Sequence, residues 1–308
     1  MPQKNASSPE QLSIALFSPA GAVQEAARIK VAAKLLTQAG CAVKIDPSAA
    51  LKRMRFAGTD EERIVAFNRI AEDKNVQVAL ATRGGYGLSR LLDQLDYKKL
   101  AASGKKWVGM SDFTAFSLAM LAKIGPSKQA ITYSGPLATA QLANAEFDEV
   151  TLNCFLESMR GQLEAVGFKT APAHANGLDV KGILWGGNLA MITSLLGTPY
   201  FPKIKGGILF LEDVGEHPYR IERMLLQLLY AGVLQAQKAI LLGHFTAFKL
   251  TPQDRGYKLK TVIDYIRAHC KVPILTGLPA GHVPTVLTLP IGQKTQLCVE
   301  GRNAFLVF

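Results

Sequence analysis

Cysteine is scarce in this 308-residue sequence: Cys41, Cys154, Cys270 and Cys298 stand far apart, with no CxxC pair among them. That spacing argues against a zinc site or a disulfide scaffold and leaves buried free thiols as the expectation. Long apolar runs are missing too. No stretch approaches the roughly 20 uninterrupted apolar residues that cross a bilayer, because Gly, Lys or Arg breaks each candidate. The opening MPQKNASSPEQ is polar and leads straight into LSIALFSPAG, without the basic, apolar, small-residue order of a secretion signal. A cytoplasmic protein with no membrane partner is expected. Basic charge is plentiful, at +11 net, but it is dispersed, with only KKL, GKKW and KIKG as small clusters. No nucleic-acid motif accompanies it, so the charge reads as a solvated basic surface that speeds encounter with anions, and nucleic acid is not an expected partner.

Hydrophobic residues at 48% and charged residues at 19% are enough to build a proper core. The length exceeds the usual reach of one core, which favours two domains. LSIALFSPAG reads as a strand ending in a Pro/Gly turn, and AVQEAARIKVAAKLLTQAG repeats apolar residues at helical spacing. The alternation continues through CAVKI, DEERIVAFNRIAED, VQVALAT, YGLSRLLDQL (a helix), KWVGM and DFTAFSLAMLAKIG, which implies an α/β fold with a mainly parallel sheet over residues 1–165. A polar stretch rich in small residues marks a linker over 166–180. Residues 181–308 hold strands and helices followed by short β-rich runs, so this second domain is expected to be mixed, with an antiparallel or barrel-like portion.

In KKWVGMSDFTAFSLAML a β-rich run ends at Gly109 and a helical pattern begins at Asp112, placing Ser111 on the turn between them. A nucleophile elbow exposes a serine hydroxyl at such a turn, beside backbone N–H groups aimed at negative charge. The hydrolase string GxSxG is not met, since Phe113 stands at the second Gly. Capping of the helix by Ser111 or Asp112 is the competing reading, and on this segment alone the stronger one. ATRGGYGLSRLL sets Gly84, Gly85 and Gly87 after a strand, where backbone amides can approach a ligand closely; neither dinucleotide nor P-loop spacing is met. Arg83 there is suited to a substrate carboxylate, or to solvent at a tight turn.

A serine hydroxyl needs a base near neutral pH, and His is the natural one. His174 falls in the linker and His269 near a helix end beside Lys271. His217 and His244 lie at strand ends, and His282 lies in TGLPAGHVPT, an irregular loop. Loop context leaves His282 and His244 nearly tied. GGILFLEDVGEHPYRIERML ends a buried strand at Glu212 and Asp213, where a carboxylate can hold a histidine N–H. Glu216 and Glu222 suit a helix start, and Asp213 a chain reversal.

SPAG, RGGYG, GMSD, the GGN of LWGGNLAMITSLLGTP, LEDVGEHPYRIERML and GLPAGH, in that order, resemble the LD-carboxypeptidase family of serine peptidases, which also includes microcin C self-immunity peptidases. The resemblance spans nearly the whole chain. It implies Ser111 as nucleophile, Glu212 as triad carboxylate and His282 as base, with the backbone N–H groups of Gly85 and Asp112 as oxyanion donors. It further implies a Rossmann-like N-terminal domain bearing the serine, a C-terminal domain bearing Glu and His, a cleft between them, a homodimer, and neither metal nor organic cofactor. The implied substrate is a muropeptide whose terminal D-alanine is released at an L,D-amide bond. Alternatives are an aminoacyl- or peptidyl-nucleotide amide, or a non-catalytic small-molecule binding protein. Arg83, Tyr86 and Ser134 are the candidate substrate contacts. Family members often carry His-Gly-Pro where this chain has Ser134-Gly135-Pro136, a departure that bears on specificity.

Overall fold

Alternate residues of the first strand, β1 (Ser13–Phe17), feed two different cores: Ile14 and Leu16 pack with the buried faces of α1 (Ala27–Gln38) and α5 (Glu149–Arg160), while Ala15 and Phe17 join the opposite side. A strand buried on both faces belongs in the middle of a parallel sheet with helices on each side. The computed structural model describes residues 11–144, 147–170 and 175–308. In it β1 is flanked in parallel by β2 (Ala42–Ile45) and β3 (Val78–Ala81), and β4 (Lys106–Gly109) and β5 (Thr132–Ser134) extend the sheet. Helices α2 (Asp60–Glu72), α3 (Tyr97–Ala102) and α4 (Phe113–Ile124) cover the second face. The strand order reverses between β1 and β3, so the loops after these two strands open a crevice at the carboxyl ends of the sheet.

The expected helix YGLSRLLDQL is replaced by successive tight turns, of which Leu88–Arg90 is one 3-10 turn. Leu91 N–H bonds Leu88 C=O and Gln94 N–H bonds Leu91 C=O, three residues back each time. Leu88, Leu91, Leu92 and Leu95 keep the i, i+3, i+4, i+7 spacing of one helical face and are buried in one core, but the start of the segment is tied elsewhere: Gly87 C=O accepts from Arg63 Nη1 at 2.8 Å and Leu88 N–H donates to the Asp112 carboxylate at 2.8 Å.

The second sheet contains β6 (Ala165–Lys169), β7 (Asp179–Asn188), β8 (Ile208–Val214), β9 (Ala239–Thr246) and β10 (Ile274–Thr276), with β12 (Lys294–Glu300) and β13 (Asn303–Val307). Its order is β10-β9-β8-β7-β12-β13-β6, parallel from β10 to β7 and antiparallel beyond. The edge strands curl towards each other: Thr276 N–H reaches Thr170 Oγ1 at 3.3 Å, although no ladder joins them among the described residues. Helices α6 (Leu189–Leu195), α7 (Pro218–Tyr230) and α8 (Leu259–His269) complete this half.

Two features tie the halves together more closely than a simple linker does. Residues 165–169, at the edge of the expected linker, form β6 of the second sheet, and β11 (Leu289–Ile291) crosses back to pair antiparallel with β5 in the first. Helix α4 is buried from Phe113 to Leu121 on all sides, as befits a helix between the first sheet and α6 and β7. Of the rest of the expected linker, residues 171–174, including His174, lie outside the described residues, residues 175–177 form a turn, and Asp179 and Val180 already belong to β7. Cys41, Cys154 and Cys270 are buried free thiols and Cys298 is half-buried. No helix among the described residues is long and apolar enough to cross a membrane.

Candidate active site

Ser111 follows β4 with φ of 64°, in the left-handed region that an L-residue enters only at a cost of about 1–3 kcal/mol. Such a turn throws the side chain out of the strand-to-helix line. Neither Ser111 nor Asp112 caps α4 with its side chain, so the capping reading does not describe this turn. The Asp112 carboxylate instead accepts from Leu88 N–H at 2.8 Å, stitching the nucleophile turn to the glycine-rich loop. Burial pushes the Asp112 carboxyl up to about 6. Phe113, the residue that breaks GxSxG, lays its ring over Gly109, where an added Cβ would meet ring carbon at 2.5 Å.

His282 Nδ1 lies 3.0 Å from Glu212 Oε2. With the Nδ1 proton donated to that carboxylate, the Nε2 lone pair is left free to accept another. Glu212 is 3% exposed at the end of β8, and its second oxygen is buried with no hydrogen-bond partner among the described residues. The contact fixes the orientation of the imidazole ring. Gly281 makes the contact possible: its φ is +120°, and a Cβ there would stand 2.9 Å from His244 C=O and 3.1 Å from Glu212 Oε2. The first half of the chain steadies the histidine loop, since Gln141 Nε2 donates to Val283 C=O at 3.3 Å and Val286 N–H donates to Thr151 Oγ1 at 2.8 Å.

Of the two loop histidines, His282 is the one that meets Glu212. His244 is exposed, and only its backbone supports the His282 loop, through a bond to Ala280 at 2.9 Å. His217 caps α7 and faces Asp254 at 3.3 Å, while His269 stacks on Tyr265. Glu216 pairs with Arg220, and Glu222 accepts from the Tyr257 hydroxyl. Asp213 does more than reverse the chain: it accepts from Asn188 Nδ2 at 2.9 Å and Ala190 N–H at 2.8 Å, and burial pushes its carboxyl up to about 6.

One cavity of about 500 Å3 is lined by Ser111, His282, Arg83, Gly84 and Gly85 together with residues from both halves of the chain. The backbone N–H groups of Gly85 and Asp112 have no acceptor among the described residues. Arg83 donates to Ala22 C=O at 2.7 Å and also borders a neighbouring hollow of about 380 Å3, on which the half-exposed Tyr86 lies. Ser134 sits on β5 between Gly109 and Leu289 and lines neither space.

Two supporting groups went unread in the sequence. Arg63 is fully buried in α2, donating to Gly87 C=O at 2.8 Å and Pro19 C=O at 3.3 Å, and so holds together the loops after β1 and β3. Its signal was a charge on the apolar stripe formed with Ala66, Phe67 and Ile70. The GGN string packs against α4: Asn188 N–H donates to Thr114 Oγ1 at 3.0 Å, and a Cβ on Gly187 would lie 2.4 Å from that oxygen.

The sequence matches the LD-carboxypeptidase N-terminal domain over residues 14–129 and the LD-carboxypeptidase C-terminal domain over residues 181–297. The chain belongs to the LD-carboxypeptidase family. The crystal structure of muramoyltetrapeptide carboxypeptidase from Oxalobacter formigenes aligns with a TM-score of 0.86 at 40% identity, covering 96% of this chain and 97% of that one. The murein tetrapeptide carboxypeptidase of Pseudomonas aeruginosa is 31% identical over 255 residues, 80% of this chain and 80% of that protein. The microcin C7 self-immunity protein MccF of Escherichia coli is 27% identical over 277 residues, 80% of this chain and 78% of that protein.

Proposed function

We propose that this peptidase uses Ser111, His282 and Glu212 as a catalytic triad and releases the terminal D-alanine of murein tetrapeptides at an L,D-amide bond. The observation that carries the reading is the Glu212-bound imidazole opening onto the same cavity as a serine held in a left-handed turn. In this mechanism His282 Nε2 takes the Ser111 proton as Oγ attacks the amide carbonyl, and Glu212 stabilises the imidazolium. The tetrahedral oxyanion rests on the N–H groups of Gly85 and Asp112, which have no other acceptor among the described residues. His282 then protonates the leaving amine, and water hydrolyses the acyl-enzyme with the same base. Arg83 borders the cavity and supplies a cation for the free carboxylate that a carboxypeptidase must bind.

A second reading, cleavage of an aminoacyl- or peptidyl-nucleotide amide, is favoured by the similarity to the self-immunity protein. Parallel incubation with tetrapeptide and with processed microcin C separates the two by release of D-alanine or of nucleotide. A fluorophosphonate is expected to label Ser111 and to spare Ser111→Ala. Folded protein that resists the label and cleaves neither substrate would instead be a binding protein.

A further inference from the structure

The hollow beside the Ser111 cavity contains an unusual balance of charge. Lys52, Arg55 and Arg83 border it, no acidic side chain does, and none of the three forms an ion pair among the described residues. Two of these cations are committed to the wall: Lys52 Nζ holds Gln24 C=O at 2.8 Å and Arg83 Nη1 holds Ala22 C=O at 2.7 Å. The Arg55 side chain is exposed and makes no hydrogen bond among the described residues. Cations gathered without counter-charge repel one another, and the arrangement becomes favourable when an anion sits between them.

The wall carrying Arg55 is preorganised. Arg53 and Phe56 exchange backbone hydrogen bonds of 2.8 and 3.0 Å across a tight turn, with Met54 at φ of 52°. The turn is stitched to the loop after β1 by Ala22 N–H donating to Arg55 C=O at 2.9 Å, and Gly21 N–H of that loop donates to Gly84 C=O at 3.2 Å. Arg55 is therefore fixed relative to Gly84 and Gly85, which border the Ser111 cavity. The hollow lies in the crevice where the strand order reverses, the usual ligand position in an open α/β sheet. Its volume of about 380 Å3 far exceeds a leaving alanine and falls in the range of small-molecule sites.

We propose that this hollow is a second anion subsite, in which Arg55, flanked by Lys52 and Arg83, takes a carboxylate or phosphate of the substrate remote from the scissile bond. The assignment rests on the peptidase reading of the neighbouring cavity, and a substrate with more than one anionic group follows from it.

Calorimetry on Ser111→Ala protein tests it with three probes: a tetrapeptide with meso-diaminopimelate at the third position, the same peptide with lysine there, and adenosine monophosphate. The two peptides differ by one carboxylate. Affinity for the diaminopimelate peptide is expected to be about ten- to a hundredfold higher, the usual weight of one charged hydrogen-bonded contact. Adding Arg55→Gln should erase that preference. If Arg55→Gln weakens only the nucleotide, the anion is a phosphate. Equal affinities with and without Arg55→Gln for every probe, or no binding of any, overturn the subsite. Release of D-alanine by the protein with Ser111 intact is measured separately, so failure of the peptidase reading is seen apart from failure of the subsite.

Discussion

Replacing Gly84 by alanine puts one methyl group against the proposed nucleophile and little else. The new Cβ would lie 2.7 Å from Ser111 Cβ and 2.9 Å from Ser111 Oγ, with Met110 C=O at 3.3 Å. Carbon atoms in comfortable contact stand about 3.5–4.0 Å apart, so relief requires a displacement on the order of 1 Å. Gly84 itself is not in the glycine-favouring left-handed region, which makes the effect steric and not conformational. Ser111 already occupies a strained dihedral and has few ways to swing aside. A misplacement of about 1 Å lowers a positioned reaction roughly 100-fold, whereas overpacking costs about 1–3 kcal/mol of stability. Both kcat for D-alanine release and the rate of fluorophosphonate labelling are therefore expected to fall about 100-fold, with urea denaturation reporting a loss of no more than about 3 kcal/mol. Folded Gly84→Ala protein labelled at the wild-type rate would refute the placement of the serine.

Glu212→Gln keeps the size of the side chain but removes the charge beside His282 and offers it an amide donor, so kcat should drop by about 100- to 10,000-fold with KM little changed; wild-type turnover would remove Glu212 from the mechanism. Asp112 titrates near 6 when folded against about 3.9 when unfolded, so the folded state holds the extra proton between those values and this group's contribution to stability is lost as pH rises from about 4 to about 6. Asp112→Asn has no such titration and can still accept from Leu88 N–H; relative to wild type it should gain on the order of 3 kcal/mol across that window in urea midpoints at pH 4 and 7, and a change of opposite sign would contradict the burial argument. Thr114→Val strands the buried Asn188 N–H at the contact between the halves, for an expected loss of about 1–3 kcal/mol; an unchanged urea midpoint would show that contact to be dispensable.

Much of the architecture was legible because local patterns and tertiary demands agree. Strands β1, β3 and β4 are short apolar runs bounded by turn residues, and α2 is announced by a Thr59 capping box and an apolar stripe. The failure at Leu88–Arg90 has a different cause, since the leucines carry true helical spacing while Gly87 C=O and Leu88 N–H are held by Arg63 and Asp112, partners from distant segments that no local pattern shows. The expected linker edge became strand β6 because its hydrogen-bond partner, β13, lies at the far end of the chain, and no local pattern encodes a pairing that distant.

The site divides in the same way. Turn chemistry read along the chain marks Ser111 and the glycine loop, because a sharp strand-to-helix turn and close backbone approach have local requirements. Which histidine faces which carboxylate has none. His282 and His244 look alike as loop residues, and only packing puts one imidazole 3.0 Å from Glu212 and leaves the other exposed. The buried Arg63, the Thr114 contact to the GGN strand and the uncompensated Arg55 belong with that second group. Sequence alone determined which residues are able to react; the convergence of strand ends from two sheets decided which of them meet, because contact across the fold depends on three-dimensional register that periodicity along one chain does not carry.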